Sequence, residues 1–475
     1  MRRAAAILPA LAAGLLLAAC ATGPSEPAPR LEIPAAWKVE APWHESAPDD
    51  AAVRGPWWQR FADPQLDALE RQALQSSPTL AVAAARLQQA RSSVDIAAAG
   101  LFPQIALNAR GSRQRISATR PLSRYDVQNF STVQNDFPLS FTVAYEADLF
   151  GRVRAAVEAA RAAAQQSAAD FENVRLVLTT DLAAAYFNLR ELDIELDVVS
   201  RSIALQRRAL ELATARHDLG ATSGLDVAQQ QALLDSTLTQ VDVLRRQRDQ
   251  FEHAIAALVG QPAPAFALAP ETGPRRAPPV PVGVPSDILQ RRPDVASAER
   301  AMAAANAQIG VARAGYFPSI TLGPAYGFES RDLARLFDAP SLAWSLGAAI
   351  TQPLFDAGRT AAGVASARAG YEAAAATYRR VVLTAMQEVQ DGISGSAALD
   401  RALGQARLAV GSAERVLQLA TDRYEGGAAA YLDVITAQQS LLTTQRQEAQ
   451  LLGQRLLVAV FLVKALGGDW QPAGG

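Results

Sequence analysis

Few side chains in this sequence are spaced to do chemistry. Cys20 is the only thiol, so no disulfide closes within one chain and packing alone must hold the fold. The three histidines, His44, His217 and His253, are isolated, with no spacing of metal ligands. Gly220-Ala221-Thr222-Ser223-Gly224 superficially matches a nucleophile elbow, but its serine is one place late and the segment reads as a turn between helices. There is no P-loop. With no convergent polar set, the sequence argues against an enzyme and implies no metal or soluble cofactor. What remains is paired. Asp226 and Asp433 each lie six residues past a glycine turn, at Gly220 and at Gly426-Gly427. Several copies of such a carboxylate around a narrow mouth favour cations and can hold a gate. A carboxylate near a helix N-terminus is also favoured by the helix dipole alone, and both readings stand.

The N-terminus reads as a processing signal. Arg2 and Arg3 precede an apolar stretch from Ile7 to Ala19, too short to span a bilayer as a helix. It ends in Leu17-Ala18-Ala19-Cys20, which resembles the bacterial lipobox. There the cysteine receives diacylglycerol and an N-acyl chain and becomes the mature N-terminus. Residues 1–19 are then a signal peptide and 20–30 a lipidated tether. Ala21 and Thr22 follow, without the aspartate that resembles an inner-membrane retention signal, so the outer membrane is the expected destination. No later segment reads as a transmembrane helix: the apolar run from Leu451 to Val463 is interrupted by Gln454 and Arg455. Any crossing must be made by strands. A net charge of −2 gives no reason to expect nucleic acid.

The elements that must position these residues occur twice. Gly100-Leu101-Phe102-Pro103 returns as Gly315-Tyr316-Phe317-Pro318, at an offset of 215. Phe150-Gly151-Arg152 matches Ala357-Gly358-Arg359, and Leu225-Asp226-Val227 matches Leu432-Asp433-Val434, at an offset of 207. The change of offset is confined to one segment, as expected of a loop insertion. Repeat 1 spans 77–260 and repeat 2 spans 293–466. Each has a helix, two strands, a very long helix, a turn and a return helix. Pro78 and Pro293 suit the first helical position and Ser77 suits an N-cap.

Strands are expected near 103–115, 137–148, 318–329 and 342–353. Phe137, Leu139, Phe141, Val143 and Tyr145 alternate with Ser140, Thr142, Glu146 and Asp148; Leu342, Trp344, Leu346, Ala348 and Ile350 alternate likewise. Roughly ten residues suits a tilted membrane strand, although a soluble sheet with one buried face alternates too. Trp344, Tyr326 and Phe137 suit an interfacial aromatic girdle or packing at a barrel base. Four strands cannot close a membrane barrel, so identical chains must pool them. The long helices are expected over 152–217 and 359–424, and the return helices over 222–259 and 429–466. Residues 152–217 contain neither Pro nor Gly, and a continuous helix there is roughly 100 Å long.

The segment Gln59-Arg60-Phe61-Ala62-Asp63-Pro64-Gln65-Leu66 after Trp57-Trp58 resembles the N-terminal signature of OprM/NodT-type efflux lipoproteins. So do Tyr145 to Arg152, Val284 to Asp294 and Ala314 to Ile320. The likeness runs from about Trp57 to Trp470. The TolC-like family implies an α+β membrane protein: a homotrimer with a shared 12-stranded β-barrel, four strands per chain. It also implies a long periplasmic α-barrel of antiparallel helices and a small equatorial domain, here 31–76, 261–292 and 467–475. It further implies passive conduction, driven by an inner-membrane RND pump through a periplasmic membrane-fusion adaptor, with outer-membrane lipid around the barrel. Protein secretion through the same duct, or a lipid-anchored coiled-coil scaffold, are the alternative functions. By the same resemblance Asp433 matches a selectivity-ring aspartate, while Thr436 stands where an acidic residue is common. Tyr424 and Arg423 are candidates to tie adjacent hairpins shut, since the family has a Tyr at the position of Tyr424.

Overall fold

The computed structural model describes residues 26–27, 37–38, 56–117, 132–279 and 292–468. Cys20, the signal and most of the tether, most of 31–55, residues 118–131, part of the inter-repeat linker and most of the C-terminal tail lie outside the described residues. Two compact units emerge, one of residues 1–29, 87–167 and 298–377, the other of 30–86, 168–297 and 378–475. Helices in chain order are α1 (Pro64–Ser76), α2 (Pro78–Ala99), α3 (Arg152–Asp218), α4 (Gly224–Leu258), α5 (Pro293–Ala314), α6 (Arg359–Glu425) and α7 (Tyr431–Ala465). None is apolar enough over a sufficient length to cross a membrane.

The first unit holds the sheet. Its strands are β1 (Gln104–Ala109), β2 (Ser112–Ile116), β3 (Thr132–Glu146), β4 (Ser319–Leu322), β5 (Ala325–Ser330), β6 (Leu342–Ser345) and β7 (Ala348–Thr351). Seven segments make four paths, because the breaks keep register. Gln104 faces Ala144 and Ser112 faces Asp136 in one unbroken antiparallel frame. Backbone bonds bridge the breaks: Arg110 N donates to Pro138 O at 3.1 Å and Gly323 N to Gly347 O at 2.9 Å. One break falls at Pro324, which has no N–H to give. The order is an antiparallel meander, β1–β2, β3, β4–β5, β6–β7, with the first and last paths at the edges. Gly327 allows it to close up, since a Cβ there would stand 2.1 Å from Leu139 O.

The duplication is physical as well as textual. Gly100 approaches Val153 as Gly315 approaches Thr360, each leaving 3.1–3.3 Å for a Cβ. Gly151 and Gly358, at φ 80° and 85°, turn each last strand path into its long helix. Differences lie at element ends. The second strand starts at Thr132, earlier than expected, and stops at Glu146. Asp148 is not a strand residue. Its carboxylate accepts from Val153 N at 3.1 Å and Arg154 N at 2.9 Å, capping α3. Ser77 does not cap α2 through its hydroxyl, which is buried without a hydrogen-bond partner.

The second unit carries the main core. Trp57, Trp58, Leu66 and Leu69 pack on Leu182, Tyr186, Phe187 and Leu189 of α3, with Ile255 of α4 and Leu462 of α7. Asp63 organises the segment around Trp57-Trp58. One carboxylate oxygen caps α1 through Gln65 N and Leu66 N, and the other accepts from Tyr186 Oη at 2.8 Å. Asp193, fully buried, pins the following linker. It accepts from Arg190 and Arg248, each at 2.7 Å, and from Glu271 N at 3.1 Å. The two arginines also donate to Ala269 O and Leu268 O. These contacts satisfy charges that burial would otherwise penalise heavily.

Candidate functional site: the helical hairpin tips

Both long helices end in the same way. Gly220 and Gly427 have φ of 73° and 71°, the left-handed conformation that glycine adopts without strain. Gly220 N donates to His217 O and Ala221 N to Arg216 O, each at 2.8 Å. Gly427 N donates to Tyr424 O at 3.0 Å and Ala428 N to Arg423 O at 2.8 Å. This paired pattern closes a helix C-terminus and reverses the chain in a few residues. Of the Gly426-Gly427 pair, only Gly427 has positive φ.

Asp226 and Asp433 occupy the first turns of α4 and α7. Their surroundings differ. Asp226 is half-buried and its carboxylate accepts from the Thr222 hydroxyl. That bond ties it to its own turn, so α4 starts at Gly224 rather than at Thr222. Asp433 is exposed. Thr436 returns its hydroxyl to Leu432 O at 2.8 Å, leaving no charge there. Arg423 donates to Ala428 O of its own turn at 3.4 Å. Tyr424 reaches outward: its ring lies 4.9 Å from that of Tyr431, and the Arg216 guanidinium sits 5.2 Å from its centroid.

A buried tie between the two hairpins, close to their tips, was not among the sequence candidates. Tyr431 is buried at the start of α7, and its hydroxyl donates to Gln230 Oε1 of α4 at 2.9 Å. Gln230 Nε2 donates to Gln206 O of α3 at 3.0 Å. Burial and the nearby Tyr424 and Asp226 push the Tyr431 phenol up to about 12, so it stays a donor at every physiological pH. Ala213, Leu233, Val434 and Ile435 enclose the pair. The available signal was spacing: Gln230 shares a helical face with Val227 and Leu234, a polar residue in an apolar stripe.

The sheet bears the other functional surface. One face of it exposes apolar side chains: Ile105, Leu107, Phe141, Tyr326, Trp344, Leu346 and Ile350 are all more than half accessible. Tyr326 faces Trp344 across β5 and β6. Phe150 stacks on Phe317 at 4.9 Å, whereas Phe102 and Phe355 stand exposed. Among the described residues no cluster of His, Cys, Asp or Glu is placed to hold a metal.

A duplicated strand pair feeding duplicated long helical hairpins defines a class of outer-membrane ducts. The chain belongs to the outer membrane efflux protein family, which it matches over residues 69–261 and 284–468. It is 33% identical to the pyoverdine export outer membrane protein OpmQ of Pseudomonas aeruginosa, covering 97% of this chain and 96% of that one. It is 31% identical to the antibiotic efflux pump outer membrane protein ArpC of Pseudomonas putida, over 97% and 95%. Its fold matches the solved outer-membrane channel OprN with a TM-score of 0.85 at 29% identity, covering 95% of this chain and all of that one.

Proposed function

We propose that three copies of this chain form the outer-membrane exit duct of a tripartite RND-type efflux system. The observation that carries this is the open sheet. Among the described residues both edge paths lack backbone partners on one side, and the apolar face is exposed. Water can satisfy such edges, but lipid cannot, so a membrane sheet must close on copies of itself. The duct conducts passively, and a periplasmic adaptor and an inner-membrane pump supply the energy. Cys20 carries the lipid anchor, and with three acyl chains the anchoring is stable. Labelling with radioactive palmitate should mark the full-length protein and vanish in Cys20→Ser; label retained in that variant would move the anchor elsewhere.

At the hairpin tips, three Asp433 carboxylates ring the mouth, and the Tyr431–Gln230 bond holds each protomer's two hairpins together. Asp433→Ala in planar bilayers should raise single-channel conductance or weaken cation preference. Conductance and ion selectivity both unchanged would remove Asp433 from the mouth.

A further inference from the structure

The face of the sheet that carries its apolar side chains also carries two charges. The strand pairings keep one frame across all four paths, so alternate residues can be followed over a single face. On β1–β2 that face runs Ile105, Leu107, Ala109, Gly111, and then Arg113 and Arg115. Among the described strand residues these two arginines are its only charged side chains, and both are exposed. Arg113 faces Asn135 and Arg115 faces Val133, so neither stands opposite a carboxylate.

The duplication shows that the strand does not need these charges for its own fold. The pair Arg113–Asn135 in copy 1 corresponds to Phe328–Leu342 in copy 2, and Arg115 corresponds to Ser330. Phe328 is apolar and its ring meets that of Phe337 at 5.4 Å. Position along the strand is a second observation. α2 ends at Ala99 and the chain enters β1 at Gln104, so the helices lie at that end of the strand path and Ile116 at the other. In an outer-membrane duct with periplasmic helices, the Ile116 end meets the outer leaflet. Arg113 stands eight residues beyond Ile105. That is about 27 Å of strand, or about 21 Å of height at a tilt of about 40°, close to the ~25 Å of an apolar band. An arginine on the lipid face is costly at the bilayer midplane and tolerated at its margin, where the long side chain lifts its head into the polar layer.

We propose that Arg113 and Arg115 of each copy bind the phosphate groups of outer-leaflet lipid. A guanidinium presents parallel N–H donors that match phosphate oxygens, and it keeps its charge at every relevant pH. Two of them lie ~7 Å apart along one strand face, at the height of the head groups. Charge complementarity selects the occupant: the residues below them on the same face are apolar, as acyl chains require, and the two cations meet the anionic layer above. This rests on the shared-barrel reading and adds a lipid site to it.

The test titrates the full-length protein in mild detergent with a bisphosphorylated glucosamine-disaccharide lipid, followed by native mass spectrometry. The wild type should take up this lipid, and should bind its phosphate-free form at least about tenfold less tightly. Arg113→Phe with Arg115→Ser, the residues of the second copy, should weaken uptake to the same extent while the assembly stays intact. If that variant does not assemble, Arg113→Gln with Arg115→Gln takes its place, and the comparison of the two lipid forms on the wild type stands by itself. Arg110→Gln, on the opposite face, should leave uptake unchanged. Equal affinity for the two lipid forms, unchanged affinity in the double variants, or an equal loss in Arg110→Gln would each overturn the proposal. Ready displacement of the lipid by excess inorganic phosphate would overturn the lipid assignment in favour of a free anion. A trimer without phosphate-dependent uptake would remove this site and leave the shared barrel intact, whereas a lone subunit at every concentration would sink the barrel reading itself.

Discussion

Tyr431 and Gln230 show what one residue can contribute at the hairpin tips. Tyr431→Phe keeps the ring stack but leaves Gln230 Oε1 buried without its donor, a cost of about 1–3 kcal/mol. The expected outcome is a looser link between α4 and α7, read as higher single-channel conductance; unchanged conductance would confine the bond to stability. Asp193 is the opposite case, a charge that serves only the fold. Asp193→Ala strands two buried arginines and should cost about 3–5 kcal/mol. The linker it pins, residues 261–279, should then become the first site cut in limited proteolysis. The sequence pointed to the exposed Asp433 because charge beside a turn is easy to see. It did not reveal Tyr431, Asp193 or Asp63, whose roles depend on partners up to 212 residues away.

At the scale of elements, α3 and α7 meet through polar groups that packing keeps half out of water. Glu195 accepts from Arg446 Nε at 2.6 Å and from Gln450 at 3.1 Å, and Arg446 also donates to Gln240 of α4 at 3.0 Å. One turn earlier, burial first and then the Glu195 carboxylate push Glu191 up to about 7. Gly453 makes the room: a Cβ there would lie 2.5 Å from Glu191 Cγ and 2.9 Å from its Cβ. Gly453→Ala should therefore destabilise by about 1–3 kcal/mol through overpacking, measurable as a lower unfolding midpoint. Glu191 also sets a pH dependence. A carboxyl held above its usual 4.5 favours the folded state while protonated. That contribution is present below about pH 4.5 and is lost as pH rises towards 7. Glu191→Gln should flatten this stretch of the stability curve and raise the midpoint at pH 8; an unchanged slope would show that Glu191 does not titrate there.

These elements were largely legible. An uninterrupted run without Pro or Gly announces α3, and strict alternation announces the strands. The misplaced ends were local contests among capping groups. Asp148 reads as one more strand residue until its carboxylate is seen holding the first turn of α3. Thr222 reads as a helix start until its hydroxyl is found on Asp226. The glycines of α6 divide in a way no sequence could disclose. Gly392 faces Leu462 and Gly395 faces Val458, while Gly363, Gly370, Gly404 and Gly411 have open space where a Cβ would stand.

For the whole molecule, the single chain is an unfinished object. Among the described residues its sheet ends in two unpaired edges, and its apolar strand face is exposed. The need for partners followed from strand number and backbone hydrogen bonding alone. Their number did not, and three came from likeness to the TolC-like family. The most direct measurement is native mass spectrometry of the full-length protein extracted in mild detergent. The expected result is a single species of three chains, persisting as the protein is diluted. A stable single chain at all concentrations would contradict the account, because one subunit cannot close this sheet in lipid.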